Sequence, residues 1–237
     1  MKTQTIKLFF IALLSVSVLS GCLKDNDDIN NVPRARLSMV NSYSPVAYIV
    51  HMADNNNLTS HHNPLKYNQF NNFPPTFLYV GNRKIKTISP ENKTLIDTVY
   101  TFKDSSSYTS FVFGTLENPK QIITEDKSVE MQGSKSALRF FHLANNTTKV
   151  NVYLNSLESQ IYKNREIEDI LTGENLKHAD FAVQNSGKNK IIITDESNKI
   201  LIEREYDFAQ GKYYSILLTG DKNSTTTPLY LGVVPQY

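Results

Sequence analysis

The sequence GKNKIIITDESNKILIEREYDFAQGKYYSILLTG, residues 187–220, decides the fold because it recurs earlier in the chain. Residues 81–114 align with it without a gap, at a constant offset of 106 residues (187 − 81). The shared residues include the pairs Asn92 and Asn198, and Tyr100 and Tyr206. A repeat of this length is far longer than a solenoid unit and has the size of one β-sandwich, about 100 residues. The chain is therefore predicted to contain two copies of one domain.

Strand patterns separated by turn residues fill the repeat. Residues 190–194 are mostly isoleucine, the stretch from Asp195 to Asn198 has turn chemistry, and residues 200–208 end in alternation of polar and aromatic side chains. A third strand is predicted over residues 213–219. Closely spaced strands of this kind indicate a sandwich. Helical signal is scarce, and the only candidate is one short turn from Arg165 to Leu171.

The second repeat also resembles a known family. It opens with LRFFHLAN over residues 138–145 and VNVYLN over residues 150–155, and it closes with the tyrosine-rich strand GKYYSILLTG over residues 211–220. These motifs resemble the bacterial family called domain of unknown function 4397. The first repeat is more diverged, since Ser105 stands where the second repeat has Gly211. The resemblance implies immunoglobulin-like repeats in a secreted or lipid-anchored protein, and it supplies no catalytic residue.

We therefore expect an all-β protein of two tandem immunoglobulin-like β-sandwich domains behind a cleaved lipoprotein signal peptide. The expected segments are a signal peptide over residues 1–21, an acidic tether over residues 22–32, a first sandwich over residues 33–132 and a second over residues 133–237. No long linker separates the two repeats, so the sandwiches are expected to lie close together with modest relative motion.

The N-terminus has the parts of a secretory signal. Lys2 and Lys7 precede an apolar run, Leu8 to Val18, that is shorter than the roughly 20 residues a membrane-spanning helix needs. Leu19-Ser20-Gly21-Cys22 then resembles the bacterial lipobox, which implies cleavage before Cys22 and acylation of its thiol. Several acyl chains on Cys22 would hold the protein on a lipid membrane.

The residues after Cys22 bear on where the anchored protein faces. A lysine and several acidic residues, LKDNDD over residues 23–28, resemble the surface-export signal of Bacteroides-type lipoproteins. The expected location is the outer membrane, lipid-anchored and exposed at the cell surface. The alternative is a solvated tether on a lipoprotein that faces the periplasm.

Composition excludes several kinds of function. The formal net charge is only +2 and no basic stripe is evident, so we expect no nucleic-acid partner. Cys22 is the only cysteine, and its acylation leaves no thiol for a disulfide, a zinc site or a nucleophile. No cofactor motif is present. The carboxylate pairs Asp195-Glu196 and Glu203-x-Glu205 lie in a predicted turn and on a predicted outer strand face, so we do not expect an enzyme.

Candidate site residues cluster in one irregular segment, residues 53–77, which combines asparagines, prolines and aromatic residues. A long loop here would present Tyr67, Phe70 and Phe73 as a platform for sugar rings. The alternative is that these aromatic residues cap the sandwich core. His61 and His62, with His51 nearby, either form part of a metal site or lie in a polar loop, and their spacing favours the polar loop. We therefore expect no metal site.

Three functions remain open at this point. The most general is a non-catalytic cell-envelope lipoprotein that acts as a surface binding or structural module. A second is a glycan-binding lipoprotein of a surface uptake system, with Tyr67, Phe70 and Phe73 as ligand contacts. A third is an adhesin or surface-assembly subunit that offers an edge strand to a protein partner.

Overall fold

The structure is a computed structural model that describes residues 32–169 and 179–236, without the side chains of residues 72–75. These residues contain strands and turns and no α-helix, and the all-β class is confirmed. The predicted signal peptide and the tether up to residue 31 lie outside the described residues, and so does Cys22. No helix among the described residues is long and apolar enough to cross a membrane.

The described residues contain seventeen strands. In chain order they are β1 (Arg34–Asn41), β2 (Tyr48–Ala53), β3 (Asn56–Asn57), β4 (Leu65–Lys66), β5 (Gln69–Tyr79), β6 (Gly81–Ile88), β7 (Thr94–Phe102), β8 (Ser107–Gly114), β9 (Pro119–Glu125), β10 (Lys135–His142), β11 (Val150–Leu154), β12 (Gln160–Arg165), β13 (Ala182–Asn185), β14 (Gly187–Asp195), β15 (Ile200–Phe208), β16 (Tyr213–Thr219) and β17 (Tyr230–Gln236).

The strands form four sheets, which pair into two immunoglobulin-like sandwiches. The first sandwich combines the orders β5-β1-β8-β9 and β3-β2-β6-β7, with β4 added to β2. The second combines β13-β10-β16-β17 and β12-β11-β14-β15. In each sandwich the first strand runs parallel to a later strand, β1 to β8 and β10 to β16, while the other pairs are antiparallel.

The predicted duplication is visible in the strands themselves. Strand β7 covers residues 94–102 and β15 covers residues 200–208, which is the sequence offset of 106 (200 − 94). Backbone positions with positive φ recur at the same offset, because both copies turn in the same way. The recurring pairs are Gly81 and Gly187, Asn92 and Asn198, Ser105 and Gly211, and Gly114 and Gly220.

Each sandwich has its own apolar core, built from the inward-facing side of its strands. In both copies a trio of aromatic rings packs at the same place, Tyr100, Phe102 and Tyr108 in the first and Tyr206, Phe208 and Tyr214 in the second. The hydroxyls of Tyr108 and Tyr214 each accept a hydrogen bond of 3.0 Å from a backbone N–H in the preceding turn. This arrangement fixes the turn against the core in both copies.

A third apolar cluster joins the two sandwiches. It is formed by residues from the outer faces of the sheets that contain β1 and β10: Val40, Phe111, Phe113, Ile122, Phe141, Leu143, Ala179, Leu217 and Val234. The rings of Phe111 and Phe141 have centroids 4.5 Å apart. Residues from Arg34 onward accordingly form one compact unit.

Arg139 lies at the centre of this interface and is 0% exposed. Its guanidinium pairs with Asp126 at 2.6 Å and donates hydrogen bonds to hydroxyls of both sandwiches, among them Thr124 at 3.2 Å and Ser215 at 2.7 Å. The ring of Phe181 covers it, with the guanidinium carbon 4.3 Å from the ring centroid. A buried charge is stable only when it is paired and hydrogen-bonded in this way.

Two expectations about local structure were wrong. The segment over residues 53–77 is not one long loop, because it contains β3, β4 and most of β5. Strand β5 is an edge strand, which tolerates proline because an edge residue need not donate to the ladder. The short helical turn from Arg165 to Leu171 is also absent over its described part, since Arg165 ends strand β12 and residues 166–169 have no regular structure. Residues 170–171 lie outside the described residues.

Candidate functional site

A groove on the first sandwich lies beside the edge strand β5. Its volume is about 610 Å³. The walls come from the β3–β4 connection, the tight turn between β4 and β5, and the first half of β5. The lining residues are Leu58, Thr59, Asn63, Pro64, Leu65, Asn68, Gln69, Phe70, Asn71 and Thr76.

Asn41, at the end of β1, positions one wall of this groove. Its side-chain Nδ2 donates to the carbonyl of Leu65 at 2.8 Å, and its backbone carbonyl accepts from the N–H of Asn68 at 2.8 Å. Asn68 has a φ of 58°, which asparagine adopts more readily than most residues. The side chain of Gln69 closes the turn by accepting from the N–H of Lys66 at 3.0 Å. The turn is therefore held by side chains from two elements.

The lining of the groove is polar but uncharged. Among the described lining residues, four carry carboxamides, two are threonines, and none is an acid, a lysine, an arginine or a histidine. Phe70 adds an aromatic ring that is 39% exposed. Carboxamides both donate and accept hydrogen bonds, and the ring offers an apolar face. The groove is suited to a neutral ligand that has many hydroxyl groups.

The structure describes the side chains of two of the three predicted contacts, Tyr67 and Phe70. Phe70 lines the groove. Tyr67 is half-buried in the β4–β5 turn, and burial raises the pKa of its hydroxyl. Phe73 belongs to β5, but its side chain lies outside the description. Neither Tyr67 nor Phe70 is part of either sandwich core, so capping of a core does not describe them.

None of the described histidines lines the groove. His51 is buried in the first core, where burial lowers its pKa to about 4. His61 contacts the ring of Tyr48 and hydrogen-bonds Asn92 at 2.9 Å. His142 hydrogen-bonds locally, to Thr147 and Thr148 at 3.1 Å each. Within the described part of the chain, no group of three histidine, cysteine or acidic side chains is placed to hold a metal ion.

Fold and groove together define a class, the tandem β-sandwich proteins that present a polar surface groove on one sandwich. The chain belongs to the DUF4397 family, the domain of unknown function whose model matches residues 35–153. The match covers the first sandwich and reaches the end of β11. Membership of the rest of the second repeat, where the resemblance in the sequence is strongest, stays a prediction.

Other comparisons add little. No curated protein matches this chain. Among solved structures it is similar to the crystal structure of CBMbc (family CBM26) from Eubacterium rectale Amy13K in complex with maltoheptaose, with 10% sequence identity. The similar regions cover 85% of this chain and 97% of that chain, with a TM-score of 0.26. A similarity at this level carries no argument about the ligand of this protein.

Proposed function

We propose that this protein is a non-catalytic binding module of the cell envelope, and that the groove beside β5 binds a neutral glycan. One observation carries the proposal, namely that carboxamides, threonines and an exposed phenylalanine line the groove and that no described lining residue is charged. Sugar hydroxyls match carboxamide donors and acceptors, and the C–H face of a sugar ring packs on an aromatic face. A phosphate or a carboxylate ligand would call for a cation in the lining.

The carboxylates fit poorly with hydrolysis of such a ligand. Glycoside hydrolysis uses two carboxyl groups on either side of the scissile bond. Asp195 lies in the β14–β15 turn, where it accepts hydrogen bonds from Ser197 and Lys199, and Glu203 pairs with Lys190 at 2.7 Å on an outer strand face. Both belong to the second sandwich and neither lines the groove. These positions support binding without catalysis.

Strand addition, as expected of a surface-assembly subunit, has weaker support at β5. Pro74 and Pro75 fall within this edge strand and offer no N–H to an incoming strand. Prolines on an edge strand are one of the ways in which proteins prevent edge-to-edge pairing. The groove rather than the β5 edge is therefore the binding feature that we favour.

A glycan array tests the proposal. The full-length chain, purified in detergent, is expected to bind a subset of neutral oligosaccharides, and Phe70→Ala is expected to lower that affinity at least about tenfold. Phe77→Ala is the matched control, because Phe77 is an exposed aromatic residue on the same strand that does not line the groove. Binding of only acidic glycans, or equal binding by all three proteins, would contradict the proposal.

We also propose that the module is anchored through an acylated Cys22 in the outer membrane and faces outward. The support is the motif Leu19-Ser20-Gly21-Cys22 and the acidic run behind it. Cys22→Ala is expected to move the protein from the membrane fraction to the soluble fraction, and protease added to intact cells is expected to remove the wild-type protein. A variant that stays in the membrane fraction would refute the anchor, and resistance to protease would refute outward exposure.

A further inference from the structure

The groove lies next to the junction with the second sandwich. Asn68 and Phe70 line it, and both also line a small cavity of about 40 Å³ at the junction with the second sandwich. From the second sandwich this cavity is lined by Leu217, Thr219, Tyr230, Gly232, Val233 and Val234. A volume of this size is close to that of one water molecule, so no sugar ring fits inside. A ligand would have to lie across the junction, over its rim.

The two sides of the junction are held together next to Phe70. The hydroxyl of Thr219, at the end of β16, donates a hydrogen bond of 2.9 Å to the side-chain oxygen of Asn68. Because Asn68 also belongs to the groove wall, this bond fixes the second sandwich relative to the groove. Tyr230 pairs with Thr219 across β16 and β17 and also lines the small cavity.

Tyr230 is exposed and held in place. Its side chain is 42% exposed, although it lies at the start of a mostly buried strand. A Cβ atom placed on Gly232 would lie 3.4 Å from Cε1 of Tyr230, so the ring lies close to the bare backbone of that glycine. Arg204 donates to the Tyr230 hydroxyl at 3.4 Å and to the carbonyl of Leu231 at 2.9 Å. These contacts leave part of the ring open to solvent while limiting its movement.

We infer that Tyr230 is a second stacking platform for the same ligand, so that both sandwiches contribute to the binding surface. The inference rests on the proposed glycan function of the groove. Phe70 and Tyr230 line one 40 Å³ cavity from opposite sandwiches, which places two exposed rings on either side of a single junction. Adjacent rings on such a surface contact successive sugar units of one chain. The ligand class is therefore an oligosaccharide of several neutral units rather than a monosaccharide.

In this arrangement the repeats have separate roles. The pairing of β8 with β9 places Lys120 opposite Phe113, at the position where the second repeat has Tyr230 opposite Thr219. Lys120 forms an ion pair with Asp169 at 3.0 Å. The first repeat thus supplies the groove, and the second supplies an aromatic residue at a position where the first has a paired cation.

The test uses the neutral oligosaccharide that binds best on the array, together with its monosaccharide. Tyr230→Ala is expected to lower affinity for the oligosaccharide about tenfold and to leave binding of the monosaccharide within about twofold. Tyr79→Ala is the control, because Tyr79 is an exposed aromatic residue on the same strand as Phe70 but far from the junction. Tyr79 pairs with Arg34 and Phe70 pairs with Val40, and these partners lie about 20 Å apart along β1 at about 3.3 Å per residue.

A spectroscopic readout separates contact from loss of folding. The chain has no tryptophan, so Tyr230→Trp introduces a single tryptophan, whose emission is distinct from that of the tyrosines. Its emission is expected to shift on addition of the oligosaccharide, whereas Tyr79→Trp is expected to show no shift. The inference is wrong if Tyr230→Ala binds the oligosaccharide normally and the emission of Tyr230→Trp does not shift. The proposed function still stands in that case, provided that the wild-type protein binds and Phe70→Ala does not. If no neutral glycan binds the wild-type protein, both are wrong.

Discussion

His51 and Thr87 are buried polar residues at a pair of core positions where the second copy of the fold has apolar residues. They are paired across β2 and β6 with both side chains fully buried, and neither imidazole nitrogen of His51 nor the hydroxyl of Thr87 has a hydrogen-bond partner among the described residues. The corresponding pair in the second sandwich is Val152 and Ile193. Each unpaired buried polar group costs about 1–3 kcal/mol. The first core is therefore less stable at this place than the second.

The buried His51 predicts an acid-sensitive first sandwich. Its pKa falls from 6.5 to about 4 on folding, so the unfolded chain binds one more proton in that interval and stability decreases as the pH falls through it. The double variant His51→Val/Thr87→Ile is expected to be more stable at neutral pH. Between pH 6.5 and about pH 4, its free energy of unfolding is also expected to fall by about 1.4 kcal/mol less per pH unit than that of the wild type.

Urea denaturation at a series of pH values measures this difference. His142, whose pKa also falls to about 4, keeps its own contribution in both proteins. Thr87→Ile alone is the control, because it changes the paired residue and leaves His51 in place. Equal slopes for wild type and the double variant would contradict a buried neutral His51.

Arg139 shows why sequence reasoning missed the most buried charge. A single arginine between Leu138 and Phe140 alternates with apolar residues, and this pattern places it on the outer face of its strand. Leu138 and Phe140 belong to the second core, so Arg139 lies on the opposite face of β10. The residues that contact Arg139 on this outer face, such as Asp126 and Thr109, come close to it only in the folded chain. No local pattern in the sequence contains that information.

At the scale of elements, β5 is the strand that the sequence pattern did not predict. Asparagines and two prolines between residues 71 and 75 are typical of a loop. The pairing with β1 explains the discrepancy, since Leu37 pairs with Thr76 while Met39 pairs with Asn71. Four residues of β5 thus stand opposite Ser38 alone, which is an irregularity that edge strands tolerate. The repeats over residues 81–114 and 187–220 each contain only a one-residue register shift, after Thr87 and after Ile193, and their strands were predicted closely.

The turns that end the repeats make an element-scale prediction. Gly187 and Gly220 both have positive φ, at 97° and 89°. A Cβ atom on Gly187 would meet nothing, whereas one on Gly220 would collide with the backbone of Pro228. Gly187→Ala is therefore expected to cost about 1 kcal/mol for its backbone conformation alone. Gly220→Ala is expected to cost about 1–3 kcal/mol more, because the backbone around residues 227–228 must move.

Thermal unfolding of the two single variants measures this difference, and each serves as the control for the other. Gly114→Ala is expected to behave like Gly220→Ala, since a Cβ there would collide with the carbonyl of Asn118. Equal destabilisation of Gly187→Ala and Gly220→Ala would show that the close approach at Gly220 is not present in solution.

At the scale of the whole molecule, the interface around Arg139 makes two sandwiches into one unit. The duplication predicts two domains that lie close together, but not which faces they share. The structure joins them through the outer faces of two sheets, with Phe111, Phe141 and the buried pair of Arg139 and Asp126 at the centre. An apolar interface with a satisfied charge inside it favours unfolding of both sandwiches in a single transition.

Arg139→Ala tests this coupling. Removing one partner of a buried ion pair costs about 3–5 kcal/mol, because the other charge stays buried without compensation. The variant is expected to unfold in two calorimetric transitions, where the wild type shows one. Lys84→Ala is the control, since it breaks an ion pair with Asp97 at 3.0 Å whose side chains are well exposed, and it should cost less than about 1 kcal/mol. Two transitions in the wild type would contradict the coupling.

The central claim is that a neutral glycan binds at the groove beside β5, and nuclear magnetic resonance tests it most directly. Titration of the isotope-labelled full-length protein with the best neutral oligosaccharide is expected to shift the backbone amide signals of Leu58, Asn68, Phe70 and Asn71, together with those of Thr219 and Tyr230 across the junction. Shifts confined to the second sandwich away from the junction, or no shifts at saturating oligosaccharide, would contradict the account.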